Sequence, residues 1–442
     1  MVATTPDASL DRLRHLRPSS PKRVSHDRSG DWYGYYAGYA DTFVTDIVSA
    51  LPARVKTILD PWNGSGTTTA VSTAHSLASK GFDINPAATV IAKARILRSD
   101  VAGSIGALTN EIASSTKRAA DSTPTPGLLT TWLTPKSAAN IYALERRIYQ
   151  VLVNSSDQQR SIDVVNDLSA LAALFYLGLF RTVRTILSPF IGTNPTWIRR
   201  NIPPAKRLRP NEDYIHWLFH LAMDDLTVLV EQSRNEYEDN NCPCDIALGS
   251  SADLPLDTSS IDAVITSPPY CTRIDYVIAT LPELAILGLR PDELKGLRDK
   301  MIGTPTIPLA QGDPLPPGCE KTKELLERIA DHSSKSSASY YKRFFLQYMR
   351  GMYDSLLEIG RVTKKNAPVV LVVQDSYYKE IHVDLAMVIE DMARSQGWAA
   401  VARQDFDVVA RRNYASINPR SQPYRETTPA TESVLVMEGA SC

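Results

Sequence analysis

The chain has 442 residues, 48 Lys and Arg against 49 Asp and Glu, a formal net charge of −1 and a hydrophobic share of 43%. That length suits one enlarged domain or two, with ample material for a core. Near-zero charge excludes a global field drawing the protein to nucleic acid, so any such contact must use local patches.

Five cysteines (Cys242, Cys244, Cys271, Cys319 and Cys442) are too few and too irregular for a disulfide framework. The C-x-C pair has no second pair or nearby histidine to complete a zinc site, so no metal is expected. The N-terminus is polar and basic without an apolar signal region, and the longest apolar run, Leu168 to Phe180, is too short to span a bilayer. A cytoplasmic protein with no membrane partner is the expectation.

Residues 1–30 carry Arg12, Arg14, Arg17, Lys22, Arg23 and Arg28 among Ser and Pro, which predicts a flexible basic arm, either solvated or touching a polyanion backbone. Trp32-Tyr33-Gly34-Tyr35-Tyr36-Ala37-Gly38-Tyr39 follows, with Phe43, Ile47 and Val48 at helical spacing. Aromatics this dense either pack a helix onto a sheet or wall a pocket for a flat ring.

Val55 to Leu59 reads as a strand. It ends in Asp60-Pro61-Trp62-Asn63-Gly64-Ser65-Gly66-Thr67-Thr68-Thr69 and a helical run from Ala70 to Ala78. Strand, glycine turn and helix open a nucleotide-type βαβ unit. Glycines at 64 and 66 let the backbone approach a ligand. The absence of G-K-[S/T] and the strand-end acid Asp60 argue against phosphate and for an amine-bearing ligand. Lys80-Gly81-Phe82-Asp83 closes a second strand with an acid at the position that can hold ribose hydroxyls.

From 103 to 241 the pattern becomes helical and predicts an inserted subdomain over the sheet's carboxyl edge, a natural place for a substrate clamp. Thr134 and Pro135 open one helix, and Asp163 to Leu187 reads as another, apolar nearly all round. Between helices, Arg199, Arg200, Lys206, Arg207 and Arg209 form a basic stretch with almost no acids, either a solvated loop or a set of phosphate contacts.

Asp245 to Leu248 resumes the sheet and leads to Asp253, which reads either as an adenine-binding acid or as a turn residue. Ile261 to Ile265 is a buried strand running into Thr266-Ser267-Pro268-Pro269-Tyr270. Two prolines stop the strand because neither can donate to a ladder. The result is a stiff turn at a strand's carboxyl end, where open α/β sheets bind ligands. Residues 276–335 predict a second insertion of loop and helix, with a Pro- and Gly-rich loop at 303–335 and a helix from about Cys319 to His332. A long helix follows through Tyr340 to Ile359, then a strand from Pro368 to Val373, a helix from Asp384 to Gln396, and two closing strands, 398–409 and 433–437. Arg273 follows the Pro-Pro turn, and Arg411, Arg412, Arg420 and Arg425 make a second basic patch between the last strands.

D-P-W-N-G-S-G-T-T followed at a distance by T-S-P-P-Y resembles the amino-methylating DNA methyltransferases, especially those acting on cytosine N4. The resemblance covers most of 30–440 apart from the helical insertion. It implies a class I methyltransferase (Rossmann-like) α/β fold: a mostly parallel seven-stranded sheet with a reversed last strand and a large helical insertion. The catalytic domain would then be 31–102 and 242–442.

The resemblance also implies S-adenosylmethionine as cofactor. Asp60, Gly64, Gly66 and Thr67 match its binding loop, with Trp62 where the family often has phenylalanine. Asp83 matches the ribose acid, and Tyr39 and Phe43 the accessory cofactor motif, with Asp253 left as the candidate for the adenine amino group. Ser267, Pro268, Pro269 and Tyr270 match the catalytic motif. The basic residues Arg199, Arg200, Lys206, Arg207, Arg209, Arg273, Arg411 and Arg412 are then the candidates for DNA contact, with the 103–241 insertion the candidate DNA-recognition clamp. Double-stranded DNA is the implied partner, and a cognate restriction or defence nuclease stays open as a second.

The chemistry explains these residue types. An exocyclic amine is a poor nucleophile because its lone pair is conjugated into the ring. Hydrogen bonds donated to Ser267 Oγ and the Pro268 carbonyl would pull it towards sp³ geometry, and Tyr270 would stack on the extruded base. No covalent nucleophile is needed, which counts against C5-cytosine methylation; Cys271 reads as a small packed residue. Serine at the head of the motif leans to cytosine N4, with adenine N6 the alternative. RNA bases and an inactive DNA-binding subunit of the same fold are lesser readings.

Overall fold

A computed structural model of the protein describes residues 10–21, 32–34, 38–114, 127–154, 162–192, 197–233, 242–272, 274–305, 314–407 and 430–439. In chain order the first elements are α1 (Asp11–His15), α2 (Asp41–Ala50), β1 (Thr57–Asp60), α3 (Thr67–Ala74), β2 (Ala78–Asp83) and α4 (Pro86–Arg95). The helical stretch supplies α5 (Ala102–Ser114), α6 (Pro135–Leu152), α7 (Ala170–Ile186) and α8 (Glu212–Gln232). Then come β3 (Cys244–Leu248), β4 (Ala263–Thr266), α9 (Tyr276–Ala279), α10 (Leu281–Ile286), α11 (Glu293–Asp299), α12 (Glu320–Asp331) and α13 (Lys342–Val362). The chain closes with β5 (Pro368–Gln374), a hairpin of β6 (Ser376–Tyr378) and β7 (Ile381–Val383), α14 (Leu385–Ser395), β8 (Ala399–Asp407) and β9 (Thr431–Glu438).

Seven strands form one sheet in the order β3-β2-β1-β4-β5-β9-β8. The first five are parallel to their neighbours, and β9 runs antiparallel to both β5 and β8. The expected reversed strand is present, inserted between β5 and the edge strand β8.

β5 shows why the sheet is a central layer. Val369, Leu371 and Val373 enter the apolar cluster shared with α12, α13 and α14. Val370 and Val372 enter the opposite cluster with Phe43, Val44 and Ile47 of α2. Side chains alternate with a period of two, so a continuous apolar run is what a strand covered on both faces requires.

Leu10 and Leu13, each 2% exposed, belong to that second cluster, and the Ser19 amide donates to Asp46. This corrects the flexible arm for residues 10–21: two buried leucines anchor them to the sheet. The rest of the arm, 1–9 and 22–30, lies outside the described residues.

The long helix expected from Asp163 to Leu187 is split. Ser169 Oγ accepts from the Ala172 amide and caps α7, while 162–167 form a 3₁₀ turn. Lys93 Nζ donates to the carbonyls of Val165, Asn166 and Leu168, which a continuous helix would consume itself.

α5 to α8 share one core with α4 and with α9 and α10. Arg184 of α7 pairs with Glu283 of α10 at 2.5 Å, and Tyr33 donates to the same carboxylate. The expected second insertion, 276–335, is therefore not one unit. Its first third joins the helical subdomain, whereas α12 packs under the sheet with α13 and α14. Among the described residues no helix is long and apolar enough to cross a membrane.

Candidate functional site

A cavity of about 220 Å³ opens at the carboxyl ends of β1, β2, β3 and β4. Its floor is the turn after β1. Asp60, 2% exposed, accepts from Thr266 Oγ1 at 2.5 Å and the Trp62 amide at 3.1 Å on Oδ1, and from the Tyr39 hydroxyl at 3.2 Å on Oδ2. Burial, outweighing those donors, pushes its carboxyl up to about 6.

Gly64 and Gly66 both have positive φ, +50° and +82°. Gly64 lines the cavity, but Gly66 does not: a Cβ there would lie 2.8 Å from Ala92 Cβ, so it is glycine for turn geometry and for contact with α4. Trp62 and Thr67 line the wall as expected. Buried Arg95 bolts the turn from below, donating to the Ser65 carbonyl at 3.2 Å and Thr67 Oγ1 at 3.1 Å while pairing with Asp41 at 3.1 Å. No turn signature marked that arginine in the sequence, because it sits at the end of α4, beyond β2.

Asp83 also lines the cavity. Its Oδ2 accepts from the Gly64 amide at 2.9 Å and Oδ1 from the Asn85 amide at 2.7 Å, leaving further acceptor capacity on each oxygen. Burial pushes this carboxyl up to about 6 as well. The adenine-side expectation needs correcting. Asp253 is exposed and does not line the cavity; its amide closes a turn onto the Ser250 carbonyl, which turns the side chain's neighbours Ser250, Ser251 and Ala252 inward. Phe43 is corrected too. It is fully buried between α2 and the sheet, edge-on to Tyr39 with ring centroids 5.8 Å apart, and only Tyr39 reaches the cavity.

The turn after β4 supplies the other wall: Ser267, Pro268, Pro269 and Tyr270 all line the cavity. The Pro269 carbonyl is taken by the Tyr348 hydroxyl at 2.6 Å. Tyr270 donates to Glu432 Oε1 on β9 at 3.1 Å. No hydrogen bond to the Pro268 carbonyl forms among the described residues. The turn is thus pinned at Pro269 and Tyr270, with Ser267 and Pro268 facing the space in front of Asp60.

The fourth wall was invisible in the sequence. Tyr276, Lys300, Met301 and Ile302 line the cavity from the loop and helices after the Pro-Pro turn, and Gly351 lines it from α13. They lie up to eighty residues from the motif they face, and only the packing of α9 to α13 brings them there.

Arg199, Arg200, Lys206, Arg207 and Arg209 do not reach the cavity. Their loop is fixed by Trp132 Nε1 donating to the Arg199 carbonyl at 2.7 Å, and all but half-buried Arg207 are exposed. Arg273, Arg411 and Arg412 lie outside the described residues, as do Tyr35 and Tyr36.

The strand order with its reversed β9, and a cavity at the carboxyl ends holding a glycine turn and two strand-end acids, define a class I methyltransferase fold. No family model matches the chain. Over 148 residues it is 26% identical to the Type II methyltransferase M.AvaI of Nostoc sp. (strain PCC 7120), and equally to that of Anabaena variabilis, with 31% of this chain covered. The matched part of the chain spans 30% of the length of these curated relatives. Among solved structures, the rRNA methyltransferase aviRa from Streptomyces viridochromogenes aligns over 96% of this chain and 97% of its own, at 12% identity and a TM-score of 0.29, which carries no argument here.

Proposed function

We propose that the protein transfers a methyl group from S-adenosylmethionine to the exocyclic N4 amine of cytosine within a specific DNA sequence. The observation that carries this reading is that Ser267 and Pro268 share one cavity with Asp60 and Asp83. An amine-accepting turn and a cofactor-type acid pair face each other across it.

The residues present fit the cofactor. Two desolvated carboxylates in one cavity keep their charge only against a cation or hydroxyl donors, and S-adenosylmethionine carries an ammonium, a sulfonium and two ribose hydroxyls. Asp83 has acceptor capacity that would suit the ribose, Asp60 with Tyr39 and Trp62 would hold the methionine end, and the Ser250–Ala252 loop would border the adenine. When bound, the cofactor supplies an electrophilic methyl on sulfur.

The chain's own part is positioning. The target base leaves the duplex, its amine donates to Ser267 Oγ and the Pro268 carbonyl, and the ring stacks on Tyr270. The amine lone pair, released from conjugation, would then be free to take the methyl that the bound cofactor supplies, with S-adenosylhomocysteine and one proton from the amine departing. Met301 and Ile302 supply apolar lining beside that path.

Mass spectrometry of nucleosides from cells expressing the protein tests this directly. N4-methylcytosine in DNA is the expected product. N6-methyladenine would move the substrate to the other amino base, and unmodified DNA would remove the DNA reading altogether.

A further inference from the structure

The cavity's fourth wall is a built one. Asp275 holds it with both carboxylate oxygens: Oδ1 accepts from the Ile278 amide and caps α9, while Oδ2 takes Arg298 at 2.7 Å near the end of α11. One half-buried acid thereby sets Tyr276 and Lys300 on the same wall. Behind them Ile302 seats on Gly351, where a Cβ would stand 3.0 Å from Ile302 Cγ1. Glycine inside a helix costs about 1 kcal/mol relative to alanine, and the close approach explains its presence in the middle of α13. Gly303 then lies beside the Tyr270 carbonyl, 3.4 Å from its Cβ position, so the roof touches the turn that faces the substrate.

Among the described residues Lys300 is the one cation lining the cavity. It is exposed at the rim and makes no ion pair among the described residues. The cofactor's ribose and adenine would lie on the side of β2 and β3, away from the Tyr270 turn. A nucleotide extruded towards Tyr270 must carry its sugar–phosphate backbone across this rim.

We propose that Lys300 binds the phosphate flanking the extruded target nucleotide, an assignment that rests on the proposed DNA methyl transfer. The ammonium is a compact charge on a long stem, suited to a phosphate whose exact place varies as the base enters. Arg298 cannot serve, because Asp275 already holds it.

The test uses the full-length protein and a short duplex containing the sequence that the wild type methylates in cells. With S-adenosylhomocysteine saturating, Lys300→Gln should weaken duplex binding about fivefold at 0.1 M salt and lower the slope of log K against log salt by about one. Lys300→Arg should restore both, and S-adenosylhomocysteine affinity without DNA should be unchanged in each variant, which also shows that they fold. Loss of S-adenosylhomocysteine affinity without DNA would give Lys300 to the cofactor's carboxylate and overturn the assignment, as would unchanged duplex binding. A wild-type protein that methylates no DNA would instead remove the reading beneath it, so the two failures are distinguishable.

Discussion

The Tyr270 hydroxyl donates to Glu432 Oε1 across 3.1 Å, tying the turn after β4 to the reversed strand β9. Burial, with the Glu432 carboxylate next in effect, holds the phenol well above its usual range, so it remains a donor at neutral pH. The fold consumes the hydroxyl, and only the ring remains for a substrate. Tyr270→Phe should therefore keep most of the turnover while losing about 1–3 kcal/mol of stability, because the buried Glu432 carboxylate loses the Tyr270 hydrogen bond. Tyr270→Ala should lower kcat/KM by about 5- to 150-fold, the range of one base–aromatic stack. Equal activity losses in the two variants would make the hydroxyl, not the ring, the functional group.

Ser267 sits in the cavity wall without contacting either acid of the cofactor side. Ser267→Ala should lower the single-turnover methylation rate by about 100-fold, the scale for one lost polar contact to the reacting group. Calorimetric affinity for S-adenosylmethionine should stay within about twofold of the wild type, since the substituted group lies outside the acid pair. Collapse of that affinity would place Ser267 in the cofactor's site.

Asp60 should make binding of the proposed cofactor depend on pH. Its carboxyl titrates near 6 in the folded protein against an ordinary 3.8, because burial disfavours the charged form. The free fold therefore holds a proton that the unfolded chain has released. The group's stabilisation is present below pH 4 and is lost as pH rises through about 6. A bound cation reverses the preference by favouring the carboxylate. Affinity for S-adenosylmethionine should be about tenfold weaker at pH 5 than at pH 7.5, and the cofactor's thermal stabilisation of the protein correspondingly smaller. A flat profile would show that no cation of the ligand meets Asp60.

Gly66 offers a stability test separate from chemistry. Alanine there must adopt φ of +82° and place its Cβ 2.8 Å from Ala92 Cβ. A left-handed backbone costs about 1–2 kcal/mol and overpacking about 1–3 kcal/mol, so Gly66→Ala should lower the denaturation midpoint clearly. An unchanged midpoint in urea would mean that α3 and α4 shift apart freely, contrary to the bolt that Arg95 provides.

Local pattern carried much of this protein. Ile58 and Leu59 before a glycine turn, Val369 to Val373 as an unbroken apolar run, and paired prolines after Ile265 state their structure within a few residues, because backbone sterics and two-sided burial act at that range. Asp60, Asp83 and the turn at Ser267 to Tyr270 were legible as site candidates for the same reason: each stands at a strand's carboxyl end, and a parallel sheet gathers such ends along one edge. Phe43 and Asp253 were misassigned because residue type does not reveal direction. Only the packing of α2 buries Phe43 under the sheet, and only the turn closed on Ser250 sends Asp253 outward. The long helix through 163–187 failed because Ser169 and Lys93 compete for backbone groups that a periodicity count treats as satisfied. What tertiary structure alone decided is the remainder of the cavity. Arg95 beneath the glycine turn and Glu432 and Tyr348 behind the Pro-Pro turn reach their partners through contacts up to about 160 residues apart in sequence, as Tyr270 and Glu432 are, and Lys300 comes to the rim only through the packing of the helices after the turn. Distances of that kind are set by how helices and strands pack, and no local preference encodes them.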